Sequence, residues 1–254
     1  MTLPRTPTFR LDGKRALIAG ASSGIGLGAA VALAEAGAEV VVAARREEAL
    51  ANLVNQLTDE GLQAIALPLD VCDFQSTQHS VEKMGPFDVL VNSAGLARHG
   101  AAVNTTETDY DAVTDLNVKG AYFLTQAVAK GLLAANKPGS LINISSQMAH
   151  VGGPERTVYC ATKHAVEGFS KAMAIEWGAN NIRVNTICPT FVLTELSKVT
   201  FDDPVKRQWI LDKIKLNRAA EIEDIMGSVV FLASDASAMI TGTSLLVDGG
   251  WTAD

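Results

Sequence analysis

Tyr159 and Lys163 stand four residues apart in a stretch with a helical pattern. That spacing puts a phenol and an ammonium on one helix face, one turn apart. A neighbouring cation favours the phenolate and draws a tyrosine's pKa down from ~10 toward working pH. A phenol tuned in this way can give a proton to a carbonyl oxygen or take one from an alcohol. Ser145 and Ser146 follow an apolar run, Ser140–Ile144, that reads as a strand. Open α/β sheets bind ligands at the carboxyl ends of their strands. A serine there can hydrogen-bond a substrate oxygen and steady the charge that develops on it, although serines also fill plain turns and caps. Asn117 lies in a helical pattern, where it either kinks the chain by bonding to backbone or holds a water beside Lys163.

A second group of residues has the chemistry of phosphate binding. Gly20-Ala21-Ser22-Ser23-Gly24-Ile25-Gly26 joins an apolar run to a helical one. Glycines at a strand-to-helix turn let the backbone approach a pyrophosphate, and the helix N-terminus offers unpaired N–H groups. Ser22 and Ser23 can add hydroxyl donors. The second strand ends in Ala43-Ala44-Arg45-Arg46, with no acid to take a ribose 2′-hydroxyl. Two guanidinium groups suit a 2′-phosphate, so NADP(H) is the expected cofactor and NAD(H) the lesser possibility. The competing reading makes both arginines solvated charges at a helix start. Asp70, after the third strand, is placed either to meet an adenine edge or to cap the helix that follows.

These residues need a scaffold, and the sequence supplies alternating β and α patterns. Arg15–Ala19, Glu39–Ala43, Ala64–Leu69, Val89–Asn92, Ser140–Ile144, Arg183–Ile187 and Ser244–Val247 read as strands. Gly26–Ala36, Glu47–Glu60 and Ala161–Gly178 read as helices. Short apolar strands without polar alternation are buried on both faces. The expected fold is therefore α/β: a Rossmann-type, doubly wound, seven-stranded parallel sheet flanked by helices, as one domain over residues 1–254. The least patterned stretch, Thr190–Asn217, contains Pro204 and Trp209 and no strand, and reads as a substrate loop or lid.

Composition sets limits on function. The chain has 254 residues, 48% hydrophobic and 19% charged, with a net charge of −7. That balance suits a folded globular protein and argues against nucleic-acid binding, which usually needs a basic face. Cys72, Cys160 and Cys188 are far apart and form no metal-binding spacing, so no metal is expected and a reducing, cytoplasmic compartment is. The first ten residues lack the apolar core of a signal peptide. Apolar runs such as Val40–Ala44 fall far short of the ~20 residues that span a bilayer.

Taken together, these motifs resemble the short-chain dehydrogenase/reductase family over nearly the whole chain. Gly20-x-x-x-Gly24-x-Gly26 is similar to its cofactor turn, and Asn92-Ser93-Ala94-Gly95 to its sheet-stabilising Asn-Asn-Ala-Gly motif. Asn117, Ser146, Tyr159 and Lys163 resemble its catalytic tetrad; Ser146, thirteen residues before Tyr159, fits better than Ser145. Arg183-Val184-Asn185 with Pro189 resembles the strand leading to the nicotinamide, and Thr241-Gly242 through Val247-Asp248-Gly249-Gly250 the closing strand.

The resemblance implies an oxidoreductase acting on CH–OH groups. Tyr159 would be the general acid/base, and Lys163 would tune it and hold the nicotinamide ribose. Ser146 would orient the substrate oxygen, and Asn117 would anchor a relay water. Gly20, Ser22, Ser23, Gly24, Ile25 and Gly26 would line the phosphates and ribose, with Arg45 and Arg46 at the 2′-phosphate. Asp70 and Val71 would flank adenine; Asn92, Ala94 and Gly95 would touch the adenosine ribose side; Pro189, Val192 and Thr194 would set the nicotinamide face. The chain departs from the pattern at Ala19 (usually Thr), Ser93 (usually Asn) and Thr190 (usually Gly).

For the substrate, the expected neighbours of Ser146 and Tyr159 are Gln147, Met148, His150, Gly153, Pro154, Thr190 and the loop beyond, with polar Glu195 and Lys198 and apolar Phe191, Leu196 and Trp209. The polar set suits a sugar or polyol, and the apolar set an acyl chain. A sugar or polyol is preferred, with 3-oxoacyl-thioester reduction as the alternative. A non-catalytic dinucleotide sensor is the rival from another class, and an intact tetrad speaks against it. A longer-chain sugar-nucleotide epimerase is disfavoured by the compact length. The family habit implies a homo-oligomer, tetramer or dimer; Ala165, Phe169, Ala172 and Met173 could face either a partner or the core.

Overall fold

The computed structural model describes residues 2–253, with Leu196 and Val199 described by their backbone alone. Seven strands, β1 (Arg15–Ala19), β2 (Glu39–Ala44), β3 (Ala64–Pro68), β4 (Val89–Asn92), β5 (Gly139–Ile144), β6 (Ile182–Pro189) and β7 (Ser244–Val247), form one sheet in the order β3-β2-β1-β4-β5-β6-β7. Every neighbouring pair is parallel. The order reverses between β1 and β4, which opens a crevice at the strands' carboxyl ends.

The inner strands show no polar alternation because both their faces are covered. Ala16 and Ile18 of β1, with Val40 and Val42 of β2, pack on one side. Leu17 and Ala19, with Val41 and Ala43, pack on the other. Helices α1 (Gly24–Glu35) and α2 (Glu47–Asp59) cover the first face, α2 through Leu50, Leu53 and Leu57. Helices α3 (Phe74–Met84), α5 (Ala121–Ala134) and α6 (Thr157–Trp177) cover the second. Helix α4 (Glu107–Thr114) runs into α5 through a wider π-helical turn, Asp115–Gly120. Helix α9 (Glu223–Ala233) closes the first face with Ile225, Val229 and Leu232.

Four departures from the sequence reading stand out. The α3 segment follows Asp70 as a helix, but the sequence reading gave it no bounds because it is polar and buries only Thr77 and Val81; Asp73 caps it by accepting from Ser76 N–H. Asp70 is therefore not the cap: its Oδ1 accepts from Cys72 N–H at 3.0 Å. The Thr190–Asn217 stretch is not irregular. It holds α7 (Glu195–Phe201) and α8 (Pro204–Lys213), with Asp203 accepting from Val205 and Lys206 N–H and Pro204 in the first turn. Proline tolerated at a helix start, after an aspartate cap, carries that signal. Helix α6 also begins four residues before the expected Ala161.

Among the described residues no helix is long and apolar enough to cross a membrane. A small third apolar cluster, Met148, Ile210, Ile214 and Trp251, anchors α8 under the end of β5.

Candidate active site

A cavity of about 640 Å³ runs along the carboxyl ends of the strands. One end is the turn after β1. Gly20 and Gly24 take left-handed backbone (φ 77 and 57), and a Cβ on Gly26 would lie 2.2 Å from the Gly20 carbonyl oxygen. These constraints explain the spacing: Gly26 lets α1 start against the turn, Gly20 and Gly24 hold left-handed backbone, and a Cβ on Gly20 would lie 2.7 Å from Ala94 N. Ser23, the residue before α1, makes no side-chain cap. The first-turn N–H groups are thus not taken by it, and they face a ligand position.

Arg45 and Arg46 line the same end, together with Asp70, Val71 and Cys72. The two arginines are not equivalent. Arg46 folds back over the turn, its Nη2 donating to Ser22 Oγ and Ser23 Oγ at 3.0 Å each, whereas Arg45 stands exposed at the rim. The glycine cradle, the free helix start and the paired guanidinium groups fit a dinucleotide whose 2′-position carries a phosphate. Gly20, Ser22, Ser23, Gly24, Ile25, Ala94, Gly95, Pro189, Val192 and Thr194 all line the cavity. Asn92 does not. It is buried, donating to Asn143 Oδ1 and accepting from Ala94 N–H, so it ties β4 to β5 and shapes the next turn. Gly26 likewise acts from behind the lining.

At the other end Ser146, Tyr159 and Lys163 converge. Ser146 ends the β5 extension; its hydroxyl accepts from Met148 N–H at 3.1 Å and donates to Gln147 Oε1 at 3.2 Å. Tyr159 lies in the first turn of α6, and Lys163 one turn on. Lys163 Nζ donates to the Ile144 carbonyl at 2.8 Å, which leaves two of its three hydrogens for the cavity. Asn117, in the π-helical turn, spends both amide hydrogens, one on the Leu96 carbonyl and one on Thr162 Oγ1. Its Oδ1 accepts from Leu96 N–H and keeps one lone pair. It thus braces the Leu96 backbone beside Gly95.

The electrostatics correct one expectation. Lys163 was expected to draw the Tyr159 pKa down. Instead the phenol is pushed up to about 12, chiefly by burial, with Ser146 and Arg156 offsetting part of the rise. The reason is geometric: at i+4 the Lys163 ammonium stands over the tyrosine ring, 5.5 Å from its centroid, and is bonded to Ile144. Lys163 is itself pushed down to about 8 by burial, partly held up by Cys188 and Glu167. Glu167, one turn further along α6, is buried and accepts from Thr186 Oγ1, Cys188 Sγ and Ser244 Oγ. A phenol in this state is a proton donor at neutral pH.

Gln147 Nε2 and Thr190 Oγ1 are buried without hydrogen-bond partners among the described residues, and both residues line the cavity with Tyr159. Buried polar groups are almost always satisfied, so two orphans at one place mark where a polar ligand sits. Phe191 and Glu195 join them in the lining; Lys198 pairs with Asp202, and Trp209 packs on Trp251. The Leu196 side chain lies outside the described part of the chain. His150 does not line the cavity; one of its ring nitrogens lies within 4.8 Å of a Glu167 carboxylate oxygen and of Cys188 Sγ. Arg156 and His99 were missed by sequence reasoning. The signal for Arg156 was its place three residues before Tyr159.

Comparison with known proteins agrees with this geometry. Residues 20–252 match a family model described as enoyl-(acyl carrier protein) reductase. A D-erythrulose reductase of Gallus gallus is 38% identical, over 96% of this chain and 98% of that protein. A structure from Agrobacterium tumefaciens, described as a 2-deoxy-D-gluconate 3-dehydrogenase with bound NADP, superposes with a TM-score of 0.93 at 41% identity, covering 98% of this chain and 100% of that one. A gluconate 5-dehydrogenase of Burkholderia cenocepacia, in complex with NADP and tartrate, gives 0.94 at 36% identity, covering 97% and 98%. With the parallel sheet, the glycine turn and the Ser146–Tyr159–Lys163 cluster at its crevice, these matches establish that the chain belongs to the short-chain dehydrogenase/reductase family.

Proposed function

We propose that the protein is an NADP(H)-preferring oxidoreductase that interconverts a secondary alcohol and a ketone on a small sugar or polyol. The observation that carries this is the run of one cavity from the glycine cradle and Arg46 to the Ser146–Tyr159–Lys163 cluster, ending in unpaired polar atoms. The bound nicotinamide supplies or accepts the hydride. Tyr159 donates the proton to the carbonyl oxygen in reduction and takes it back in oxidation. The Ser146 hydroxyl hydrogen, now on Gln147 Oε1, turns to that oxygen and stabilises its charge. The two free hydrogens of Lys163 hold hydroxyl groups at the nicotinamide end, and Asn117 fixes the Leu96 turn against which Lys163 works. Gln147 and Thr190 bind substrate hydroxyls. Helix α7 forms the cover, with Glu195, Ser197 and Thr200 in the lining.

The description of the matching family model favours acyl-carrier substrates, the second reading. The orphaned Gln147 amide and Thr190 hydroxyl count against it, because an acyl chain leaves them unpaired. A non-catalytic sensor would have no need of the Tyr159–Lys163 pair.

The three free cysteines support a reducing, cytoplasmic setting for the single domain. A homo-oligomer is supported by the α5–α6 face, where Tyr122 and Leu133 are exposed over a groove with Phe169.

The test is NADPH consumption with ketoses, keto-sugar acids and 3-oxoacyl thioesters. Turnover of the sugar compounds supports the reading; turnover confined to thioesters replaces it.

A further inference from the structure

Arg156 is the residue before α6 and is only 7% exposed. Glu155, just ahead of it, takes left-handed backbone (φ 60), and the chain then carries Arg156 inward. Its guanidinium carbon stands 5.2 Å over the Phe191 ring, and Nη1 donates to the Pro154 carbonyl at 3.0 Å. Among the described residues no other hydrogen bond uses its five donors. Among the described residues no carboxylate pairs with it: Glu155 is taken by Lys206. A guanidinium taken out of water without a counter-ion is costly. Burial lowers the Arg156 pKa from the usual arginine range, and the nearby Cys160, Glu155 and Tyr159 offset only part of the fall.

The location gives this charge a use. Arg156 lines the cavity with Tyr159, Gln147, Thr190 and His99. It lowers the pKa of both Tyr159 and His99, so its field reaches the reacting end. With Nη1 held by Pro154, the Nε–Nη2 edge remains, and that edge matches the two oxygens of a carboxylate. The orphaned Gln147 Nε2, on a side chain 1% exposed, is a second unsatisfied donor in the same lining.

We propose that Arg156 recognises a carboxylate on the substrate, so that the enzyme prefers sugar acids, meaning aldonates and their keto forms, over neutral polyols and ketoses. This rests on the sugar oxidoreductase reading above and narrows it.

The test compares NADPH-dependent reduction of 5-keto-D-gluconate, D-fructose and D-fructose 6-phosphate by the wild type, Arg156→Gln and Arg156→Lys. The wild type is expected to show a kcat/KM at least about tenfold higher for the keto acid than for either other substrate. Arg156→Gln should lose about 10- to 100-fold on the keto acid, mostly in KM, and change fructose only a few-fold; Arg156→Lys should recover part of the loss. Equal losses on acid and ketose overturn the proposal, as does a wild type that prefers fructose or its phosphate. NADPH binding with no turnover of any sugar compound overturns the parent reading instead. Should Arg156→Gln fail to fold, the wild type still decides: tartrate should inhibit fructose reduction at concentrations at least about tenfold lower than threitol, its uncharged counterpart. Equal inhibition overturns the proposal.

Discussion

Enclosed beside Ser146 and Arg156, the Tyr159 hydroxyl keeps its proton well above neutral pH, with its pKa pushed up to about 12. It is therefore poised as an acid, and its removal should leave binding intact. Tyr159→Phe is expected to lower kcat by about 10²- to 10⁴-fold, with the NADPH dissociation constant from fluorescence titration unchanged. The sequence showed this pair by its spacing but misjudged its electrostatics. Spacing says that Lys163 and Tyr159 are neighbours, not that Nζ stands over the ring while bonded to Ile144. Arg46 likewise emerges only in three dimensions as the arginine that folds onto Ser22 and Ser23. Arg46→Ala should weaken NADPH by about tenfold or more and NADH far less; equal losses on both would remove the 2′-phosphate from the account.

At the scale of elements, α6 positions the chemistry and the sheet pays for it, because Lys163 is buried among strand ends. The Lys163 pKa falls to about 8 in the fold, against 10.5 for the ordinary side chain. Between those values the unfolded chain binds more protons, so stability rises with pH. Below about pH 8 the whole penalty applies. Lys163→Met is thus expected to raise the melting temperature of the cofactor-free protein at pH 7, with the gain shrinking to nothing as pH climbs toward 10.5. A variant less stable at pH 7 would contradict this. The β1–α1 turn should be intolerant in the opposite sense: Gly26→Ala, whose Cβ meets the Gly20 carbonyl, should cost about 1–3 kcal/mol in denaturant melts and abolish tight cofactor binding.

The strands were legible because buried parallel strands are continuous apolar runs, as in Val40-Val41-Val42. The bounds of several helices were not. Helix α3 buries too few apolar residues to show a stripe, and α7 and α8 are short enough that caps such as Asp203 carry most of the signal.

Over the whole molecule, the reversal of strand order between β1 and β4 brings together residues far apart in sequence: Gly20, Arg46, Ser146, Tyr159 and Thr190 share one cavity. Motif order made that gathering foreseeable. The inward turn of Arg156 was not, because it depends on the left-handed Glu155 and on Phe191 arriving from beyond β6. The exposed α5–α6 face belongs to this scale too. Leu133→Glu should reduce the mass found by sedimentation, and a wild type that is monomeric at micromolar concentration would rule out assembly through that face.

The most direct test of the central claim is NADPH oxidation by the purified protein on a matched set of ketoses and keto-sugar acids, with Tyr159→Phe in parallel. The account predicts turnover by the wild type, loss of that turnover in the variant, and equal NADPH affinity in both. Undiminished turnover in Tyr159→Phe would contradict it.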